Sequence, residues 1–198
     1  MPLRRPLYVA QGERHEENMD LQLEAMAVAM PEVAGHPNRL PFRGVLTLVG
    51  VASQRSPSGA RGHRVMLTRA ATEAALPSLL GMALDYALAL DGHDARCKIG
   101  IITEATIVPM PQSKTSGVTG QIAVSGYLFA HDFPDVVKKI QEQPDGTLGM
   151  SYEIANISVP NQDAPIWAVT RFSFTGAAML RRDKAAYPQT WIALATSN

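Results

Sequence analysis

The chain has 198 residues, enough for one domain with a sizeable core. Its 18 basic and 18 acidic residues balance, which removes the electrostatic case for nucleic acid or an anionic membrane as a partner. The single cysteine, Cys97, excludes an intrachain disulfide and fits a reducing compartment, and no apolar stretch is long enough to predict a transmembrane helix. The apolar run beside Arg4 and Arg5 is too short for a signal peptide, so the composition predicts a soluble, intracellular protein.

Residues 1–36 read as an N-terminal helical arm. Glu13 to Met30 is charged early and apolar later, with Leu21, Leu23, Met26, Val28 and Met30 forming a stripe that must pack on something. Pro31 and Gly35-His36-Pro37-Asn38 end it. The arm docks on the same domain or holds a partner or neighbouring subunit; the pattern alone leaves both open.

The body of the protein spans residues 40–195. Phe42 to Ala52 is β-branched and apolar and predicts a buried strand, and Ser53 to Gly62 is a loop of Ser, Pro, Gly and Arg. Val65 to Leu67 is a short strand. Thr68 can cap a helix that Pro77 kinks, with an apolar face continuing through Leu79, Leu80, Ala83, Leu84 and Ala87 to about Leu90. Strands then follow at Lys98–Val108 and Gln121–Phe129. Asp132 and Pro134 open a short helix reaching Gln143, and Asp145-Gly146 turns the chain. Leu148–Val159, Ile166–Phe174, Ala177–Leu180 and Trp191–Ala195 complete the strand pattern. Several strands are apolar almost throughout, so both faces are covered. The fold class predicted is mainly β with flanking helices (α+β), a closed or nearly closed barrel of six or seven strands.

Two segments carry the candidate chemistry. Gly92-His93-Asp94 precedes the strand beginning at Lys98, and Gly149-Met150-Ser151 lies inside the strand beginning at Leu148. A serine needs a neighbouring base to act as a nucleophile at neutral pH, and histidine is the usual one. Asp94 adjoins His93, but adjacent side chains point apart, which makes it a solvated loop charge. Cys97 alternates with apolar residues and reads as a structural thiol rather than a nucleophile. His36, His63, His93 and His131 are scattered without i,i+4 or Cys-x-x-Cys spacing, so no metal is expected. The glycines at 117, 120, 146 and 149 are not followed by Gly-Lys-Ser/Thr, so no phosphate loop or other cofactor site is expected.

The order of these motifs resembles a known family. Gly-His-Asp and Lys-Ile-Gly (92–100) are followed by Gly-Tyr-Leu-Phe (126–129), Asp-Phe-Pro-Asp (132–135) and Leu-Gly-Met-Ser-Tyr-Glu (148–153). Phe-Thr-Gly-Ala-Ala-Met-Leu (174–180) and Asp-Lys-Ala-Ala-Tyr (183–187) close the series. Together they resemble the prohead, or capsid maturation, proteases of tailed bacteriophages, a family similar in fold to the herpesvirus assembly proteases. The resemblance implies a herpesvirus-protease-like β-barrel serine endopeptidase with Ser151 as nucleophile and His93 as general base. It implies cleavage of scaffold segments and major capsid protein, homo-oligomerisation, and a place in the host cytoplasm inside the procapsid. The family places a third residue, His or an acid, on the strand after the serine, but Ile166–Phe174 contains neither. Substitutes would come from Glu153, Asp163, Asp183 or His131. Glu153 shares the Ser151 face by alternation, about 7 Å along the strand. Arg181-Arg182 reads as surface, or by analogy with the herpesvirus relatives as an anion-stabilising pair. The alternative to an enzyme is a catalytically inactive, capsid-associated or scaffold-like module on the same fold.

Overall fold

Alternation of buried and half-buried residues sets the architecture. In Gly120–Leu128 every second residue is buried, the period-2 signature of a strand with one face on the core. A computed structural model describes residues 26–27, 31, 33, 35–110 and 119–194. In chain order the strands are β1 (Met26–Ala27), β2 (Leu40–Val49), β3 (Arg64–Leu67), β4 (Ala83–Tyr86), β5 (Lys98–Pro109), β6 (Gly120–Leu128), β7 (Leu148–Ser158), β8 (Ile166–Val169), β9 (Arg171–Arg181) and β10 (Trp191–Leu194). Two helices, α1 (Arg69–Ala75) and α2 (Pro134–Gln141), and a 3-10 turn at Leu76–Leu79 join them.

The main sheet runs β10-β2-β6-β5-β4-β9-β7, with β1 added to β5, and β3 and β8 pair separately in parallel. β4 and β9 are also parallel, while the other pairs of the main sheet are antiparallel. The core within the curl gathers Phe42, Leu46, Leu84, Ile102, Leu128 and Met179, each 2% exposed or less. α1 buries Ala71, Thr72 and Ala75, and α2 inserts Ile140, with Phe133 and Val136 packed beside it.

The β-rich class is as expected, but the barrel is not closed: β7 and β10, the two ends of the sheet, share no ladder. β7 is tied instead to the residue just before β10, the Met150 N–H donating to Thr190 Oγ1 at 3.2 Å. β10 is only four residues long and pairs with Phe42–Val45 of β2.

Three local expectations need correction. The helical face predicted through Leu90 stops at Leu79: Gly81 takes φ of 78°, and Ala83–Tyr86 is a strand wedged between β5 and β9. The i,i+3/i+4 spacing of a short apolar run fits either structure, and an available slot in the sheet decides it. Second, of the helix expected at Glu13–Met30, residues 26–27 instead extend the β5 edge that β4 leaves open, pairing with Glu104 and Ala105; residues 1–25 and 28–30 lie outside the described residues. Third, the strand expected at Ile166–Phe174 divides at Thr170, because its first half pairs with β3 and its second with β7. The helix caps differ in detail as well. The Thr68 hydroxyl donates to Val169 O at 3.0 Å, and Asp132 accepts from Asn38 Nδ2 at 2.8 Å instead of capping α2.

Candidate active site

One row across four strands builds the site. Lys98 on β5 pairs with Asp85 on β4, Asp85 with Ala178 on β9, and Ala178 with Ser151 on β7. Residues paired in register share a face, so Asp85 and Ser151 project to the same side, two strand spacings or about 10 Å apart. The methyl of Ala178 between them leaves room for a ring. His93 fills it from the β4–β5 connection.

That connection is anchored on both sides of the histidine. Leu90 is buried and holds a left-handed conformation, φ 54°, which a branched side chain adopts only under constraint. Its N–H donates to Ala87 O at 2.8 Å, and its carbonyl accepts from the Arg181 N–H of β9, also at 2.8 Å. Beyond His93, Asp94 accepts from the Arg96 backbone and guanidinium at 3.0 Å, which holds its carboxyl down to about 2. Asp94 is thus a loop charge, as its adjacency implied. Cys97 is half-buried against the core, and burial pushes its thiol up, away from the reactive thiolate.

The His93 ring bridges the row. Ser151 Oγ lies 3.0 Å from Nε2. On the other side, Nδ1 is 3.2 Å from Glu153 Oε1 and 3.6 Å from Asp85 Oδ2. Neither carboxylate is aligned with Nδ1 as a hydrogen-bond acceptor, so this nitrogen sits between two negative charges. A proton on Nδ1 is favoured there, and Nε2 then presents its lone pair to the Ser151 hydroxyl. Asp85 is fully buried; its Oδ2 accepts from Lys98 Nζ at 3.2 Å, while Oδ1 has no partner. Glu153 is half-buried and pairs in register with Gly176. A Cβ at Gly176 would lie 2.7 Å from Glu153 Oε2, so the glycine makes room for the carboxylate.

His93 and Ser151, 58 positions apart in sequence, are therefore brought into contact. Of the four substitutes considered for a third residue, only Glu153 is at the ring. Asp163 does not line the cleft, Asp183 pairs with Arg181 at 3.2 Å, and His131 is an exposed partner of Asp132. Asp85 is the residue that sequence reasoning missed. Its one signal was a lone acid inside the run Met82–Leu88, otherwise uncharged. Arg181 and Arg182 do not face the cleft: the Arg182 guanidinium donates to Gly146 O and Pro188 O, and its N–H to Thr147 O.

Ser151 and His93 open into a cleft of about 750 Å³. Ala60, Val65, Ile154, Ile157, Trp167 and Val169 give it an apolar wall. Trp167 is held by stacking on His63, with ring centroids 4.6 Å apart. Asn156 takes φ of 55° at a break in the β7–β9 ladder, leaving its neighbour Ile157 half exposed in the cleft. Asp85, His93 and Glu153 also form a set of three potential metal donors within 4.8 Å of one another, a grouping that histidine spacing alone could not reveal.

No family model matches this chain, and neither a curated protein nor a solved structure matches it. Among the described residues no helix is long and apolar enough to cross a membrane.

Proposed function

We propose that this protein is a serine hydrolase acting on polypeptides, with Ser151 as nucleophile and His93 as general base. The observation that carries the reading is the 3.0 Å contact between Ser151 Oγ and His93 Nε2, with two carboxylates behind Nδ1. As Ser151 Oγ attacks the scissile carbonyl, its proton passes to Nε2, and the imidazolium that forms lies between Glu153 and Asp85. Nε2 then returns the proton to the leaving amine, and water hydrolyses the acyl-enzyme by the same route. The apolar wall suits a substrate with a bulky aliphatic or aromatic side chain beside the cleaved bond.

The order of motifs from Gly92 to Tyr187 supports a narrower reading: a prohead protease that trims scaffold segments and major capsid protein inside the procapsid, as a homo-oligomer in the host cytoplasm. The inactive-module alternative drew its weight from a missing third residue. Glu153 and Asp85 beside His93 remove that ground.

A fluorophosphonate probe tests the chemistry without a known substrate. It should label Ser151 in the wild type, fail on Ser151→Ala, and react far more slowly with His93→Gln. Absence of labelling in folded wild-type protein would end the hydrolase reading. Co-expression with a phage major capsid protein tests the narrower one: its processing should be seen with the wild type and lost with Ser151→Ala.

A further inference from the structure

We propose that Asp85, His93 and Glu153 form a divalent-cation site, with zinc as the fitting ion, and that its occupation switches off the serine–histidine pair. The inhibitory half of this rests on the hydrolase reading; the metal site itself does not.

The geometry around Nδ1 departs from that of a simple hydrogen bond. An acceptor for an Nδ1 proton would lie along the N–H direction, yet Nδ1 has no hydrogen-bond partner although carboxylate oxygens stand at 3.2 and 3.6 Å. Donors at this separation are what a shared tetrahedral ion requires. With metal–ligand distances of about 2.0–2.2 Å, neighbouring ligand atoms stand roughly 3.3–3.5 Å apart. All three donors fall within 4.8 Å of one another.

A second observation concerns Asp85. It is fully buried, and its Oδ1 has no hydrogen-bond partner. A buried carboxylate oxygen left unpaired is costly, and a bound cation would satisfy it. Oδ2, the oxygen 3.6 Å from Nδ1, also accepts from Lys98 Nζ, so an ion held there shares that oxygen with the ammonium, while Oδ1 is the oxygen left without a partner. One imidazole and two carboxylates suit zinc by ligand type, and the two carboxylates supply negative charge to a dication, one of them shared with the Lys98 ammonium. Asp85 and the Nδ1 face of His93 are closed to solvent, so the partly exposed Glu153 carboxylate is the side from which an ion would enter.

The consequence for the pair follows from the tautomer. A metal on Nδ1 takes that nitrogen's lone pair, and the neutral ring then carries its proton on Nε2. Nε2–H would donate to Ser151 Oγ instead of accepting from it. The base is lost while the Ser151–His93 contact remains, and a chelator restores it.

Calorimetric titration with zinc, paired with cobalt(II) absorption as a probe of geometry, tests the site directly. Wild type and Ser151→Ala should bind one ion with equal affinity and give the intense visible bands of tetrahedral cobalt. Binding should vanish in His93→Gln and weaken roughly tenfold or more in Asp85→Asn and Glu153→Gln. Circular dichroism confirms that each variant is folded, and Glu153→Gln, at a half-exposed position, keeps the comparison available if Asp85→Asn is not. Zinc should also suppress fluorophosphonate labelling of the wild type, reversibly with a chelator. Binding that survives His93→Gln, an octahedral cobalt spectrum, or labelling unaffected at saturating zinc would overturn the proposal. Failure of labelling in metal-free protein would instead count against the hydrolase reading, while the titration on Ser151→Ala still decides the site.

Discussion

At His93 the imidazole has two carboxylates behind it where one suffices, and this makes the response to single changes distinctive. Glu153→Gln leaves Asp85 at 3.6 Å to favour the Nδ1 proton, and Asp85→Asn leaves Glu153 at 3.2 Å. Each single variant should lose about tenfold in kcat, while the double variant should approach the ~10⁴-fold loss seen when an imidazole is left without its acid. The measurement is kcat for a cleavable peptide, or the rate of fluorophosphonate labelling; additive losses would mean the carboxylates act independently. Gly176 offers a gentler test of Glu153. A methyl there would press on a carboxylate only 2.7 Å away, at the free end of a flexible side chain. Gly176→Ala should therefore swing Glu153 off the ring and resemble Glu153→Gln in activity, with stability changed by less than about 1 kcal/mol. A large drop in melting temperature would show that β9 itself, rather than the side chain, had moved.

Among the elements, β4 decides what could be read from sequence. Its four residues follow a helix and a proline, and their apolar spacing continues the helical period, so the sequence reads Ala83, Leu84 and Ala87 as a helix face and gives Asp85 no role. Pairing of Ala83–Tyr86 between β5 and β9 is a tertiary choice that no local pattern encodes. Long strands with strong alternation, such as β5 and β6, were legible to within a residue or two. So was the strand carrying Ser151 and Glu153, because period-2 alternation places both on one face. What that alternation could not give was the neighbour across β9, hence the reach of Glu153 to His93. The β4–β5 pair makes a testable element. The register shift between Leu84 and Asp85 brings Lys98 opposite Asp85, where its ammonium, partly exposed, holds the buried carboxylate. Lys98→Met should cost about 1–3 kcal/mol, because it strands a buried charge. Adding Asp85→Asn should recover part of that loss. A double-mutant cycle by urea denaturation reads the coupling directly, and a coupling energy near zero would mean that solvent already screens the pair.

For the molecule as a whole, the consequential feature is the seam where the curled sheet nearly meets itself. β7 carries Ser151 yet has a ladder partner on only one side, β9. On its other side the position of β7 depends on close contacts with β2 and with the segment before β10. Met150 is buried, its N–H donates to Thr190 Oγ1, and its side chain lies over Gly44, where a Cβ would come within 2.9 Å of the Met150 sulfur and closer still to the Trp191 carbonyl. Gly149 is similarly confined, a Cβ there reaching 2.8 Å from Thr190 Oγ1. Glycine at 44 thus lets the two ends of the sheet approach without a ladder, and the residue so placed is the immediate neighbour of Ser151. Gly44→Ala cannot be absorbed by a side-chain rotation alone, since one of the atoms it meets is backbone. It should cost about 1–3 kcal/mol, as overpacked sites do, lowering the melting temperature by roughly 3–10 °C for a chain of this size. Part of that strain falls on the Met150 side chain next to Ser151, so labelling of Ser151 should fall at temperatures where the variant remains folded. The Thr190→Val variant adds no bulk but removes two hydrogen bonds, the one Thr190 Oγ1 accepts from the Met150 N–H and the one it donates to Tyr187 O, and should lose about 1–3 kcal/mol with a smaller effect on labelling. Calorimetry and labelling rates measured side by side separate the two. Equal losses of activity per unit of stability in both variants would show that the seam supports the fold only and does not position Ser151.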